Sequence, residues 1–383
     1  MVESQIHGDS GPTRWSVGTG PERPTAPDLP QRHFGGAGPA GPVGGNRPPT
    51  LGGSIIDRPG GTMNRLRKIS RTLGVTTSLV IAGTAAQADG TVAVIVTNFQ
   101  NVAEVSMAEG FSTKAKELGY DVVEMDSKGS VERQANAIDD AIAQGVKGIA
   151  AIVLDSAVAA SWVDNANDMD VKFSAMAVQV GDPSNPWSEV YPGLASLVGR
   201  DDYATGARIA KYATSLFDEG KPLKIGLVEG MPGYSTVINL TNGFKAGLEE
   251  AGVEYEIVMS QPTDWTQVKG QEVCQNALTA TPDIDLFYAH AQTMAVGCAD
   301  AVDDVGSQAK IVTAAGGLAL GHPYVQRGQI AAAVCEPWHE IGARTAETLI
   351  ASIDGTDVET PQLVTLELPI YTAENVDSCK PEW

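Results

Sequence analysis

Residues 91–127 read TVAVIVTNFQNVAEVSMAEGFSTKAKELGYDVVEMDS, and residues 223–260 read LKIGLVEGMPGYSTVINLTNGFKAGLEEAGVEYEIVMS. Each stretch contains an apolar run, a polar turn, a helix-period segment and a second apolar run, a pattern that predicts a β-α-β unit. Both copies carry a Gly-Phe pair followed, at the same spacing, by a glycine where a helix would end: Gly110-Phe111 with Gly119, and Gly243-Phe244 with Gly252. The repeat predicts two similar α/β lobes.

The rest of the chain continues this pattern. From Thr91 onward, short apolar runs alternate with helix-period stretches, which predicts parallel sheets covered by helices on both faces. We therefore expect an α/β fold with two doubly wound parallel-sheet lobes. The hydrophobic content of 43% is ordinary for a globular protein, so disorder cannot describe the whole chain.

The charge balance limits the partners. The formal net charge is −21, and such an acidic surface repels phosphate backbones and anionic lipid. We expect no nucleic-acid partner. The same charge favours a monomer.

The first 88 residues differ from the remainder. Residues 1–62 are rich in Gly and Pro without apolar periodicity, so we expect no fold there and interpret them as upstream sequence that is not translated. Residues 63–88 have the order of a signal peptide, with basic residues, an apolar run and then Ala86-Gln87-Ala88. The alternative, a membrane anchor, is disfavoured because the run is short and interrupted by Thr and Ser. Export to the periplasm as a soluble protein is expected.

The mature chain has four cysteines, namely Cys274, Cys298, Cys335 and Cys379. An exported compartment permits disulfides, and three pairings are possible. Cys274 and Cys298 fall on successive helix-period stretches, which favours their pairing and leaves Cys335 with Cys379. Four buried free thiols remain an alternative because the core is large enough to need no cross-links. The spacing does not suggest a metal site.

Ligand contacts are predicted at the strand ends. In open α/β sheets ligands bind beyond the carboxyl ends of the strands, and the polar residues there alternate between the two repeats. A ligand touching both sets would lie between the lobes. Trp265 is the best candidate for stacking on a sugar ring, with Asp264 capping the next helix; the alternative is a tryptophan half buried in the core. The predicted ligand-binding residues are Phe99, Asn101, Glu104, Asp155, Gln179, Tyr234, Trp265, Gln292 and Glu336.

Signals for catalysis are weak. The mature chain lacks a Gly-x-Ser-x-Gly nucleophile motif and a Gly-x-x-x-x-Gly-Lys-Ser/Thr phosphate loop. A histidine at a strand end, such as His290, is more often structural than a base. We expect neither an enzyme nor a bound cofactor.

The sequence resembles the ribose-type (type I) periplasmic solute-binding proteins of ABC transporters over roughly residues 91–370. The likeness rests on VSMAEGFSTKAKELGYDVVEMDS, GRDDYATGARIAKYA, SQPTDWTQVKGQEVCQNALTATPDIDLFYA, TMAVGCADAV and EIGARTAETLI. It implies two lobes that close on a small ligand and dock on a membrane permease. It places three interlobe crossings near Arg200-Asp201, near Glu336 and near Asp354–Thr360. The first lobe would then contain residues 89–200 and 337–355, and the second residues 201–336 and 356–383.

The resemblance also suggests roles for single residues. Asn101 fits the polar residue after the first strand, Trp265 the stacking aromatic, and Glu336 the hinge glutamine. Other positions depart from the sugar-binding pattern of the family: Ala103-Glu104, Met176 to Gln179, Leu240, Ala291 and Ala314 to Gly316. These departures favour a smaller, less hydroxylated or partly apolar ligand, and Glu104 with Glu336 would suit hydrogen-bond donors or positive charge.

Three other functions share this fold or location. A ligand-presenting partner of a membrane sensor cannot be distinguished from a transporter component by sequence. A repressor-type effector domain would have a helix-turn-helix ahead of the first repeat, where this chain has the predicted signal peptide. An exported enzyme would need an activated nucleophile or base in the cleft.

Overall fold

The structure is a computed structural model that describes residues 88–356 and 360–383. The predicted upstream sequence, residues 1–62, and the predicted signal peptide, except for Ala88, lie outside the described residues. None of the helices within the two described ranges combines the length and apolar content that crossing a lipid bilayer requires.

The first half of the chain builds one sheet and the helices beside it. Its elements are β1 (Gly90–Val96), α1 (Val102–Glu117), β2 (Tyr120–Asp126), α2 (Val131–Ala143), β3 (Gly148–Ala151), α3 (Ser156–Asp168), β4 (Lys172–Met176) and β5 (Ser196–Gly199). Residues Val92–Val96 of β1 are completely buried, because helices cover both faces of the sheet.

The second half repeats this arrangement. Its elements are α4 (Asp202–Thr214), β6 (Leu223–Glu229), α5 (Ser235–Glu250), β7 (Tyr255–Pro262), α6 (Gln267–Ala280), β8 (Leu286–Ala289), α7 (Gln292–Val305), β9 (Lys310–Thr313), α8 (His322–Gln326) and β10 (Ala332–Val334). The last elements are α9 (Trp338–Ile353), β11 (Gln362–Thr365), β12 (Ile370–Tyr371) and a 3-10 helix, Val376–Ser378.

The two sheets have equivalent strand orders. The first runs β11-β5-β4-β3-β1-β2, and the second runs β12-β10-β9-β8-β6-β7. All pairs are parallel except β10 with β12. We call the first sheet with α1–α3 and α9 the first lobe, and the second sheet with α4–α8 the second lobe. Two doubly wound parallel-sheet lobes are therefore present, as the repeat predicts.

Within residues 88–356 and 360–383 the chain crosses between the lobes three times. It leaves β5 for α4 at residues 200–201 and leaves β10 for α9 at residues 335–337, as expected. The third crossing was predicted near Asp354–Thr360, and this is wrong. Strand β11 pairs in parallel with β5 and so extends the first sheet, and the chain crosses only afterwards, at residues 366–369. Residues 360–365 therefore belong to the first lobe, although 356–383 had been assigned to the second.

Glycines bring pairs of helices into backbone contact. A Cβ on Gly110 of α1 would overlap with the carbonyl oxygen of His339, and one on Gly342 of α9 would overlap with that of Met107. Helices α4 and α5 meet in the same way, since a Cβ on Gly243 would overlap with the carbonyl oxygen of Tyr203. These helices pack closely because the glycines have no side chain.

Two disulfides are present. Cys274–Cys298 joins α6 to α7, and Cys335–Cys379 joins the second crossing to the residue after the 3-10 helix. Just beyond Cys379, Glu382 contacts both lobes. Its backbone N–H donates to Gly317 O (2.7 Å), and its Oε2 accepts from Ser106 Oγ of α1 (2.6 Å).

Candidate functional site

A cavity of about 90 Å³ lies between the lobes, where the carboxyl ends of both sets of strands face each other. Both lobes contribute to its wall. Six predicted ligand-binding residues line it: Asn101, Glu104, Tyr234, Trp265, Gln292 and Glu336. Further lining residues that were not in the predicted set are Ala103, Met107, Ile152, Ala177, Val178, Arg200, Asp202, Thr236, His290, Ala291, Thr293, Ala315, Leu318 and Trp338.

One end of the cavity carries a buried ionic group. Arg200 Nε donates to Asp202 Oδ1 (2.8 Å), and its Nη1 donates to Glu336 Oε2 (2.8 Å) and to Ala314 O (2.6 Å). Because Arg200 and Glu336 lie on the first two crossings, their ion pair links adjacent strands of the hinge. Among the described residues, no hydrogen bond involves Arg200 Nη2 or Glu336 Oε1.

Two carboxyl groups share this one guanidinium. Burial raises the pKa of Glu336 to about 8, although the charge of Arg200 opposes the shift. Burial also raises the pKa of Asp202, again against Arg200. One carboxyl group therefore holds its proton near neutral pH, and the ionic group is close to neutral overall.

Sequence reasoning missed Arg200. This residue directly follows β5, so the strand-end rule could have found it, but it was assigned to the hinge alone. From Met176, the last residue of β4, to Gln179 the chain contains no arginine. Arg200 places a cation in the same cleft from the neighbouring strand.

Glu104 lies in the first turn of α1, and groups of the protein itself occupy the hydrogen-bond acceptor sites of its carboxylate. Its two carboxylate oxygens accept from Thr97 N (2.7 Å), Thr97 Oγ1 (2.5 Å), Asn98 N (3.1 Å) and Asn101 Nδ2 (3.1 Å). A carboxylate has about four acceptor sites, so little capacity is left for a ligand. Burial raises the pKa of Glu104 to about 7, and these hydrogen bonds oppose the shift.

An aromatic wall closes another side. The half-buried indole of Trp265 meets the ring of Tyr234 edge-on, with 5.7 Å between ring centroids. A Cβ on Gly230 would overlap with that indole, so this glycine makes room for it. The hydroxyl of Tyr234 is buried and has no hydrogen-bond partner among the described residues.

The predicted capping of the next helix is wrong. Helix α6 starts after Trp265, and its cap is Thr266, whose side chain accepts from Lys269 N. Asp264 instead accepts from Thr266 N (3.2 Å) in a local turn. Trp265 has a φ of 69°, in the left-handed region that few tryptophans adopt, and this turn directs its indole to the cavity.

Two polar lining residues of α7 and the preceding turn already have partners. His290 Nδ1 accepts from Gly230 N (3.3 Å), and its Nε2 lies 3.1 Å from Thr241 Oγ1. Burial lowers the pKa of His290 to about 3, so the ring is neutral. Gln292 Nε2 donates to Tyr371 Oη (2.7 Å), and its Oε1 accepts from Leu318 N (2.9 Å). Both side chains hold the cavity loops in place.

Three predicted ligand-binding residues lie outside the cavity wall. Asp155 is the N-cap of α3 and accepts from Val158 N (2.9 Å). Phe99 is half buried against the core of the first lobe. Gln179 is buried at a direct contact between the lobes. The structure does not bring these three to a ligand in the cavity.

That direct contact consists of Ser156 and Gln179 from the first lobe and Ser235 and Asn239 from α5; we call it the interlobe clasp. Ser235 N donates to Ser156 Oγ (3.0 Å), and Gln179 N donates to Ser235 Oγ (3.0 Å). Asn239 Nδ2 donates to Gln179 Oε1 (3.0 Å). These bonds join the lobes directly, so the lobes are closed in this structure.

Within the described ranges, no group of three or more His, Cys, Asp or Glu side chains is arranged to hold a metal ion. The neutral His290 has both nitrogens engaged and cannot act as a free base. The arrangement instead suits reversible enclosure of a small molecule.

Comparisons with known proteins agree with this geometry. Residues 92–357 match the family model described as periplasmic binding protein domain. The ribose import binding protein of Escherichia coli K12 is 28% identical over 286 residues, which cover 74% of this chain and 92% of that protein. The D-allose-binding periplasmic protein of the same strain is 28% identical over 288 residues, covering 71% and 87%.

A solved structure shows the same fold. The crystal structure of an ABC transporter solute-binding protein from Bacillus halodurans C-125, with bound myo-inositol, aligns with a TM-score of 0.69. The two chains are 18% identical, and the alignment covers 78% of this chain and 99% of that one. At this identity the likeness concerns the fold alone.

Proposed function

Because this chain belongs to the periplasmic binding protein domain family, as a ribose-type (type I) member, we propose that it is the solute-binding component of an ABC importer. It would capture a sugar, a polyol or a less hydroxylated small molecule between its two lobes. The family consists of binding proteins for transport, and the chain is not an enzyme.

One observation carries the proposal: a cavity beside the hinge is lined by strand ends from both lobes. A ligand in such a cavity contacts both lobes at once only when they are closed. It therefore binds the closed state more tightly than the open state and shifts the population toward closure. The closed form is the one that a permease could distinguish.

The partners and location are part of the proposal. They are a small ligand and a membrane permease, encountered in the periplasm by a monomeric binding protein. The relatives named above are an import binding protein and a periplasmic binding protein, which supports this assignment. The net charge of −21 disfavours a nucleic-acid partner.

Binding can be tested directly by thermal shift and isothermal titration with pools of sugars, polyols, amines and aromatic acids. We expect one class to raise the melting temperature, because ligand bound only to the folded state stabilises it. If no pool raises it and none produces binding heat, the transport assignment fails.

The assigned cavity can be tested with Trp265→Ala and Gly230→Ala. Each should weaken binding of the identified ligand about tenfold or more, because the first removes the aromatic wall and the second displaces it. Gly230→Ala made in the Trp265→Ala background should have little further effect, since no indole remains to be displaced. Additive effects of the two changes would contradict the packing described here.

A further inference from the structure

Residues 380–383, which we call the strap, lie at the boundary between the lobes. The strap begins directly after Cys379, whose disulfide to Cys335 fixes it to the second crossing. Further along, it pairs with the loop that follows β9: Glu382 N donates to Gly317 O (2.7 Å), and Glu382 O accepts from Ala319 N (2.9 Å). The backbone of the strap is therefore held on the second lobe.

The side chain of Glu382 reaches the other lobe. Its Oε2 accepts from Ser106 Oγ of α1 (2.6 Å) and from His339 N of α9 (2.9 Å). Both helices belong to the first lobe. A single residue thus joins the lobes, with its backbone on the second and its carboxylate on the first.

The bond to His339 gives α9 a cap that its own sequence does not supply. The first N–H groups of a helix have no partner within it and are usually satisfied by a capping side chain. The cap position of α9 is Pro337, which makes no side-chain capping bond. The carboxylate of Glu382 accepts from the second residue of the helix instead, and its negative charge suits the positive end of the helix dipole.

The strap also holds part of the cavity wall. Leu318, which lies between the two residues that pair with Glu382, lines the cavity. The same loop receives a bond from α9 directly, since Trp338 Nε1 donates to Gly316 O (2.9 Å). The loop of the second lobe that carries Leu318 is therefore held against α9 twice, by Trp338 and through the strap.

Opening of the lobes would break this arrangement. Because the backbone of Glu382 is held on the second lobe, moving the first lobe away separates its carboxylate from Ser106 and His339. Helix α9 then loses its cap, and the carboxylate loses two protein donors. The charge of Glu382 also adds to the raised pKa of Glu336, whose main cause is burial, so these donors offset a repulsion between neighbouring acids.

We infer that the strap favours the closed arrangement of the lobes, with Glu382 as the positioning residue that caps α9 from the opposite lobe. This extends the proposed solute-binding function, which requires the lobes to open and close. Its test uses the ligand-free protein, so failure of this inference and failure of the transport assignment are distinguishable.

Hydrogen exchange at the interlobe clasp tests the inference. The amides of Gln179 and Ser235 each donate across the clasp, so separation of the lobes releases both from their partners. In Glu382→Ala both should exchange at least about fivefold faster than in the wild-type protein, because loss of a cap shifts an equilibrium by about this factor. A cap with only a local role would accelerate exchange at His339 and leave the clasp amides unchanged.

Glu340→Ala is the matched control, because Glu340 is an exposed acidic residue in the first turn of the same helix. Its clasp amides should exchange within about twofold of the wild-type rate. Ending the chain at Cys379 keeps both disulfides and should reproduce the effect of Glu382→Ala. Wild-type exchange at the clasp in either Glu382→Ala or the shortened chain, or equal acceleration in Glu340→Ala, would overturn the inference.

Discussion

At the scale of single residues, the cleft contains more buried acid than its one arginine can neutralise. Arg200 pairs with Asp202 and Glu336, and Glu104 is held separately by hydrogen bonds. Burial raises the pKa of Glu336 to about 8 and that of Glu104 to about 7. The folded protein therefore retains protons near neutral pH that the unfolded chain would release.

This predicts a stability that depends on pH. Between about pH 5 and pH 8 the folded state binds more protons than the unfolded state at these two glutamates, so the free energy of unfolding falls as pH rises. The lowered pKa of His290, about 3, acts in the opposite direction but only below about pH 6.5. Glu336→Gln should reduce the loss of unfolding free energy between pH 6.5 and pH 8, by up to about a few kcal/mol.

Urea unfolding at pH 6.5, 7.2 and 8 measures this slope. Glu104→Gln should flatten it independently, since Glu104 has its own set of donors, and the double variant should be flatter than either. If the unfolding free energies of these variants change with pH as steeply as that of the wild type, the raised pKa values are contradicted.

The sequence located part of this site and missed part. Strand ends are recognisable from apolar periodicity, so Asn101, Tyr234 and Glu336 could be placed near a cleft. Whether a polar side chain reaches a ligand depends on its partners, which lie far away in sequence. Gln179 bonds Asn239 and Arg200 bonds Glu336, and neither pairing has a local signal.

At the scale of elements, the sequence predicted the repeat but not the helix contacts that require its Gly-Phe glycines. Gly119 and Gly252 have φ values of 89° and 67°, which fits the predicted glycines at helix ends. Gly110 and Gly243 have another role, because each faces the backbone of a neighbouring helix. For Gly110 that neighbour is α9, more than two hundred residues later, and no local pattern could have identified it.

These contacts predict a cost for adding one methyl group. Gly243→Ala would improve helix propensity by about 1 kcal/mol, but its Cβ would overlap with the carbonyl oxygen of Tyr203 on α4. Overpacking of this kind costs about 1–3 kcal/mol, so we expect a lower melting temperature overall. Asn242→Ala, at the adjacent exposed position of α5, is the control and should be neutral or slightly stabilising. Equal melting temperatures for the two variants would contradict the packing of α4 on α5.

At the scale of the whole molecule, the two lobes are joined by more than the hinge. None of the four residues of the interlobe clasp lines the cavity, and Glu382 adds a contact between Ser106 of the first lobe and Gly317 of the second. Closed-state bonds that do not involve the ligand lower the free energy of closure. Less of the ligand's binding free energy is then needed to close the lobes.

Asn239→Ala tests this coupling, because it removes a clasp bond without altering the cavity wall. We expect a larger fraction of open molecules without ligand and an affinity weaker by about tenfold, corresponding to about 1.4 kcal/mol. Small-angle scattering would report the larger radius of gyration, and titration would report the affinity. Asn242→Ala serves again as the control on the same helix. An unchanged affinity in Asn239→Ala would show that the clasp does not contribute to closure.

The late strand β11 has a consequence for the order of folding during synthesis. The first sheet receives Gln362–Thr365 as its neighbour to β5 only after the ribosome has made the entire segment that forms most of the second lobe. Helix α9, which covers α1 through Gly342, is also made late. Domains usually fold in the order in which they are synthesised, N-terminal first. Here the first lobe begins first but cannot be completed first. Until α9 and β11 have been made, the unpaired edge of the first sheet and the uncovered helix α1 must not aggregate.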